Sequence, residues 1–191
     1  GGTSKLSPAE RSKEVQTLEE SFPNNSRMAW LRVMQQVIKV FVLNRVTHKF
    51  FKTLPGIPGE ITEGLPQPSN VYSPAEIFIL KWMSYHYEKV SPHKFSTVAN
   101  FDTHLASGTV LAAVLQSHVP SLTSFSDMIE SPENEADRVS NAQCIANALE
   151  EMDLSYSLEA RDIAFPVASD LLLFCLFLYQ KLPSFTPRTT I

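Results

Sequence analysis

Histidine and serine are the first candidates in this chain for catalysis or metal binding. The five histidines are His48, His86, His93, His104 and His118. They form no HExxH pair, and no CxxC pair occurs, whereas a zinc site needs convergent ligands at such fixed spacings. Ser107-Gly108 lacks the G-x-S-x-G context that exposes a nucleophilic serine. The sequence therefore predicts no metal site, no cofactor and no enzymatic activity.

The other reactive side chains have structural interpretations. Glu150, Glu151 and Asp153 are neighbouring carboxylates near a predicted helix end, a pattern typical of a solvated surface. The two cysteines, Cys144 and Cys175, each lie inside an apolar helical run. Buried, reduced thiols are therefore favoured over a disulfide framework, which indicates an intracellular setting.

Two helix starts share one capping pattern. Ser7–Glu10 and Ser73–Glu76 both read Ser-Pro-Ala-Glu, in which Ser caps the first turn, Pro takes the first helical position and Glu reaches back to the cap amide. The first helix is expected to end near Phe22, before Pro23. Because it is polar nearly all round, it is expected to be marginal without a partner surface.

A second helix is expected after Ser26. Its apolar residues recur at helical spacing and share one broad face. They are Trp30, Val33, Met34, Val37, Val40 and Phe41. Near Leu43 the phase of the pattern changes, which predicts a kink, a break or a helix that packs on different neighbours along its length. A short strand over Val40–Val42 is an alternative.

Composition divides the chain into four predicted parts. Residues 1–4 look like a tag remnant, which suggests a fragment of a longer protein. Residues 5–53 form a helical extension with a basic arm. Residues 54–72 are rich in Pro and Gly and form a linker, and residues 73–187 form a helical domain.

The predicted domain has four main helices. We expect them at Ser73–Val90, Leu105–Val119, Asn141–Met152 and Pro166–Leu182, with a polar, acidic loop over Ser124–Asp137. The residues expected to build the structural core are Leu80, Trp82, Leu111, Leu115, Leu149, Asp162 and Phe174. Asp162 is expected to cap the last helix or to pair with a cation. The fold class is therefore all-α, a compact helical bundle with an N-terminal helical extension.

Charge is distributed unevenly. Between Asn25 and Thr53 the chain carries basic residues and no acid. The candidate partner-binding residues there are Arg32, Lys39, Arg45, Lys49 and Lys52. From Val71 onward seven basic residues stand against fourteen acidic ones. The basic arm could fold back on the acidic domain, or its charges could steer docking onto an acidic partner such as a tubulin surface. No nucleic-acid or membrane partner is expected, because the aromatic residues fall on core faces and the longest apolar run is short.

Ordered landmarks in the second half resemble the calponin-homology family. They are Ile79-Leu80-Lys81-Trp82, Asn100-Phe101 with Ser107-Gly108, Leu111 and Leu115, Asn141-Ala142 to Leu149, and Ala160-Arg161-Asp162-Ile163. The family's usual Asp before Gly is Ser107 here, and the chain has no room for a second such domain. The segment Leu178–Pro183 is most similar to ciliary and flagellar members of the family that carry a single such domain.

The resemblance implies a role as well as a fold. It implies a calponin-homology-like bundle from a large cilia- and flagella-associated protein, similar to the hydin-like group. Its expected function is a non-enzymatic interaction module that docks to microtubules or axonemal partners and supports assembly of the cilium or flagellum. The expected location is the cytoplasm and the cytoskeleton, and more specifically the cilium or flagellum. An actin-filament-binding module is the alternative.

Overall fold

The computed structural model describes residues 7–54, 71–92 and 97–186. Within these ranges every regular element is helical, so the predicted all-α class is confirmed. The helices are α1 (Pro8–Leu43), α2 (His48–Thr53), α3 (Pro74–Val90), α4 (Thr109–His118), α5 (Glu135–Glu151), α6 (Ala160–Ala164) and α7 (Ala168–Lys181), followed by a 3₁₀ turn at Leu182–Ser184. No helix among the described residues is both long and apolar enough to cross a membrane.

Helix α1 is continuous where two helices were predicted. It runs from Pro8 to Leu43 and contains Pro23 in its interior, so the predicted stop at Phe22 is wrong. An interior proline removes one backbone hydrogen bond and clashes with the preceding turn. The neighbouring turns keep their own hydrogen bonds, and helix propagation across the site outweighs that local loss.

The predicted change of phase near Leu43 marks a break in the helix. α1 ends there, and the amides of Arg45 and Val46 donate to the carbonyls of Val42 and Leu43 at 3.0 and 2.9 Å in a tight turn. The alternative of a strand over Val40–Val42 is wrong, because these residues are helical.

The chain divides into two compact units between Phe41 and Val42. The first holds most of α1. The second begins at Val42 and includes α2, which the sequence placed in the extension. Most of the predicted linker, residues 55–70, lies outside the described residues.

Helix α3 begins with the predicted cap. The Glu76 carboxylate accepts hydrogen bonds from the Ser73 amide at 2.8 Å and from its hydroxyl at 2.6 Å, while Ser73 Oγ accepts the Glu76 amide at 3.4 Å. The helix buries Ile79, Trp82 and Met83 almost completely. It is therefore central to the second unit, as its apolar sequence predicts.

Helix α4 begins four residues later than predicted. Gly108 precedes it with φ of +75°, a left-handed conformation that interrupts helical geometry. Asp102–Gly108 forms turns instead, in which the Ala106 amide donates to the Asp102 carbonyl at 3.1 Å. Leu105 is fully buried even though it lies outside the helix.

Helix α5 begins earlier than predicted. The Asn134 side chain accepts the Asp137 amide at 2.9 Å and starts the helix at Glu135, six residues before Asn141. The acidic segment 124–137 is therefore loop only as far as Asn134. Cys144, Ile145, Ala148 and Leu149 face inward, as the helical spacing predicts.

The last predicted helix is preceded by a separate short helix. α6 contains Asp162, whose carboxylate accepts the Glu159 amide at 3.0 Å. Asp162 is exposed and caps α6, so its placement in the core and at the start of the last helix is wrong. Its neighbour Ile163 carries the apolar burial at this turn.

Aromatic and aliphatic side chains from α3, α4, α5 and α7 fill the core of the second unit. Six of the residues expected in the core are buried: Leu80, Trp82, Leu111, Leu115, Leu149 and Phe174. The Trp82 and Tyr179 rings meet edge to face, 5.3 Å between centroids. Cys144 and Cys175 are buried free thiols, and burial raises the pKa of both.

Candidate functional site

The short helix α2 places basic side chains on the surface of the second unit. Thr47 Oγ1 accepts the Phe50 amide at 3.2 Å and so caps the helix start. Lys49 and Lys52 are exposed and lie three residues apart, on one face of the helix. Arg45, in the preceding turn, is exposed as well.

Apolar contacts fix α2 to the core of its own unit. Val46 and Leu54, on either side of the helix, are buried. The His48 ring stacks on Phe78 of α3, 5.7 Å between centroids and 12° between planes. The Phe50 ring meets Tyr179 of α7 edge to face at 5.8 Å. The lysines of α2 therefore stand on a supported helix.

The other two candidate partner-binding residues belong to the first unit. Arg32 is exposed and Lys39 is half-buried, both on α1. The structure therefore places Arg45, Lys49 and Lys52 in the second unit, on α2 and in the turn before it, and Arg32 and Lys39 in the first. We call the first three residues the α2 basic surface.

Buried His86 and the half-buried Ser117 and His118 form a polar cluster beside Trp82. Ser117 Oγ lies 2.6 Å from His86 Nδ1 and 3.2 Å from His118 Nδ1. The Val114 carbonyl accepts from Ser117 Oγ at 3.0 Å and from His118 Nδ1 at 2.8 Å. The Trp82 indole packs edge to face on His86, 5.1 Å between ring centroids.

The Ser117–His86 pair has the spacing of a nucleophile and its base but lacks the electrostatics. Burial, then the neighbouring His118 and Lys89, lower the pKa of His86 to about 3. Burial also lowers the pKa of His118. A general base works best with a pKa near the operating pH and must reach the substrate. His86 is only 5% exposed, so the pair is interpreted as a satisfied polar network of the core.

A second buried polar residue, Asn141, joins two loops to α5. Its Nδ2 donates to the carbonyls of Ser107 at 2.9 Å and Ile129 at 2.8 Å, and its Oδ1 accepts the Ile129 amide at 2.8 Å. A Cβ added at Gly108 would lie 3.2 Å from Asn141 Cβ and from Ile145 Cδ1. The Ser-Gly and Asn-Ala landmarks thus meet in space.

A groove of about 690 Å³ lies where the end of α3, α4 and the loop before α5 meet. Tyr87, Val90, Phe125 and Met128 supply apolar walls, and Glu130 adds a charged group. This groove could not be predicted from the sequence, since its walls come from segments far apart in the chain. Among the described residues no group of three or more His, Cys, Asp or Glu is placed to hold a metal ion.

Comparison with known families agrees with this geometry. The model of the calponin homology (CH) domain matches residues 74–184, from the start of α3 to the 3₁₀ turn. The chain belongs to the calponin homology domain family. The CH domain thus coincides with α3–α7 of the second unit, and the resemblance expected from the sequence landmarks is confirmed. α2 lies before the matched residues and packs on two helices of the domain.

Two curated relatives share sequence with most of this chain. Cilia and flagella-associated protein 47 of Mus musculus is 28% identical over 212 residues, covering 97% of this chain and 7% of the relative. Cilia- and flagella-associated protein 47 of Homo sapiens is 30% identical over 182 residues, covering 87% of this chain and 6% of the relative. The chain therefore spans a small part of the length of these relatives. No solved structure gives a significant match.

Proposed function

We propose that this chain is a non-enzymatic docking module that attaches a ciliary or flagellar protein to a cytoskeletal partner. Membership of the CH family supports a cytoskeletal role, and the names of the two relatives support the ciliary setting. The interpretation of Ser117–His86 as core structure agrees with a module that works by binding.

The observation that carries the proposal is the α2 basic surface. Residues from Val71 onward are acidic overall, with seven basic against fourteen acidic residues. Arg45, Lys49 and Lys52 are thus a local exception within the second unit. An acidic partner is attracted to this surface and repelled by most of the rest, so charge both speeds the encounter and sets the orientation.

The partner favoured by this charge pattern is an acidic filament surface such as tubulin. Arg32 and Lys39 on α1 are candidates for the same attraction, since no acid lies between Asn25 and Thr53. Actin filaments are the alternative partner, suggested by family resemblance rather than by a particular contact.

Cosedimentation of the purified chain with microtubules tests the proposal. Binding is expected at low salt and should weaken at moderate salt, because exposed charges more than about 8–10 Å apart are screened near physiological ionic strength. The double variant Lys49→Glu/Lys52→Glu should reduce the bound fraction strongly. The single variant Lys49→Glu should reduce the bound fraction as well, and Lys181→Glu is its matched control, because Lys181 is exposed on α7 of the same unit.

Three outcomes would contradict parts of the proposal. No binding at low salt would remove tubulin as the direct partner. Equal loss for Lys49→Glu and Lys181→Glu would show that net charge matters and the α2 basic surface does not. Pelleting with actin filaments but not with microtubules would favour the alternative partner.

A further inference from the structure

Helix α1 leaves a broad apolar face exposed. With 3.6 residues per turn, its large hydrophobic residues after Pro23, apart from Met28 on the other side, cover about half of the helix circumference. Together with Phe22 on the same side, the exposed members are Trp30, Leu31, Val33, Met34, Val37, Ile38, Val40 and Phe41. We call this set the α1 apolar face. Soluble proteins rarely expose so many neighbouring large apolar side chains without an interaction to cover them.

The spacing within the α1 apolar face is that of a helix held in a groove. Trp30, Met34, Val37 and Phe41 follow the pattern i, i+4, i+7, i+11, which places four anchors along one line. Trp30 and Phe41 are 67% and 69% exposed. The face is wider than the narrow seam of a two-stranded coiled coil, which uses a and d positions alone.

The charged residues of α1 indicate which kind of partner fits the α1 apolar face. From Ser21 to Leu43, α1 carries the cations Arg27, Arg32 and Lys39 and no acidic residue. If two copies of the chain met through this segment, their cations would come close to one another, and the segment contains no acidic residue that could pair with them. Arg27 falls within the apolar side of the helix, where insertion into lipid would bury its charge. A protein groove with acidic rims satisfies both features.

We propose that the α1 apolar face docks into the apolar groove of an acidic protein of the EF-hand calcium-sensor class. Such a groove is rich in methionine and opens when calcium binds, so it can take up bulky anchors such as Trp30 and Phe41. This site goes beyond the proposed cytoskeletal docking. It uses α1 of the first unit, whereas the microtubule test depends on Lys49 and Lys52 of the second.

Tryptophan fluorescence of the whole chain, titrated with calcium-loaded calmodulin, tests the proposal. Trp30 is exposed and should shift to shorter wavelength when its ring enters the groove, while Trp82, 1% exposed, supplies a constant background. The shift should saturate with a dissociation constant below about 10 μM and reverse on addition of EGTA. Trp30→Phe should remove the signal.

Matched charge insertions on α1 separate apolar docking from simple attraction. Val37→Asp places a charge in the α1 apolar face and should weaken calmodulin binding at least about tenfold, the effect of losing a buried anchor. Gln36→Asp adds the same charge at the adjacent exposed position outside that face and should change binding less than about threefold. Both variants should retain the helical signal of the second unit and its microtubule binding.

Other outcomes overturn the proposal. Absence of a Trp30 shift at calmodulin concentrations well above about 10 μM would exclude this partner class. Concentration-dependent association of the chain alone, abolished by Val37→Asp in sedimentation velocity, would assign the face to a second copy. Binding to anionic phospholipid vesicles without binding to calmodulin would assign it to a membrane surface.

Discussion

Helices α1 and α3 carry similar apolar side chains and place them in opposite environments. α3 buries Ile79, Trp82 and Met83 among neighbours of the same unit. α1 leaves Trp30 and Phe41 mostly exposed. The contrast shows that an amphipathic pattern specifies a helix and a face, whereas the rest of the unit determines whether that face becomes core or interface.

The largest expected effect is a direct comparison of the two tryptophans. Trp82→Ala removes a ring packed against Tyr179 and His86 and should lower the free energy of unfolding of the second unit by about 3–5 kcal/mol. Trp30→Ala removes an exposed ring and should change it by less than about 0.5 kcal/mol. Urea denaturation followed by circular dichroism measures both. Equal losses of stability in the two variants would contradict the assignment of Trp82 to the core and of Trp30 to an exposed face.

Substitution of Asn141 tests whether the second unit depends on a buried polar side chain as well as on apolar packing. Asn141→Ala leaves the carbonyls of Ser107 and Ile129 without this donor and should cost about 3 kcal/mol, since unpaired buried polar groups retain their desolvation penalty. Gln143→Ala on the exposed face of α5 is the control and should be nearly neutral. The same urea titration compares them, and a neutral Asn141→Ala would show that the loops do not depend on this residue.

Acid should destabilise the second unit through His86. The pKa of His86 is lowered to about 3 in the folded state by burial and by the nearby His118 and Lys89, while an unfolded histidine titrates near about 6.5. The unfolded state therefore binds the extra proton between these values, and stability falls as pH drops below about 6.5. At pH 5 the loss from His86 should reach about 2 kcal/mol.

Urea midpoints at pH 7 and pH 5 measure this slope. His86→Gln should reduce it, because glutamine does not titrate. α1 contains no histidine, so its helical content should change little over the same interval. An unchanged slope in His86→Gln would indicate that His118 causes the pH dependence, since burial also lowers the pKa of His118.

The helices of the second unit could be predicted from the sequence because local patterns and tertiary packing agree there. The capping box of Ser73 and Glu76, the inward spacing on α5 and the burial of Trp82 all follow from residues a few positions apart. Pro23 was misleading because a proline marks a helix end by local preference, whereas the helix continues on both sides of it.

The features that were missed depend on residues distant in sequence. The Glu151 carboxylate accepts the Thr123 amide at 3.1 Å and the Ser124 hydroxyl at 2.6 Å, and these bonds lower its pKa. Glu151 is exposed, in agreement with the predicted surface position, but its partners lie 27 and 28 residues earlier in the chain and could not be predicted. The groove beside Tyr87 and the packing of α2 are likewise set by long-range contacts. The signal for Asn141 was available, since it lies in phase with Ile145 and Ala148.

The smallest expected effect concerns the hydroxyl of Tyr179, a polar group in the core of the second unit. Among the described residues, Tyr179 Oη is the buried side-chain polar atom without a hydrogen-bond partner, and burial raises the pKa of this phenol. Tyr179→Phe keeps the ring against Trp82 and Phe50 and removes the unpaired hydroxyl. It should therefore be neutral or stabilising by up to about 1 kcal/mol.

Tyr179→Leu is the contrast that separates the hydroxyl from the ring. It also removes the hydroxyl but loses the edge-to-face contacts at 5.3 and 5.8 Å. Each such contact is worth about 0.5–1.5 kcal/mol beyond burial, so this variant should be destabilised. Thermal melting of the two variants beside the parent chain gives the order. Destabilisation by Tyr179→Phe would mean that the hydroxyl contributes to stability and that the core of the second unit is fully satisfied.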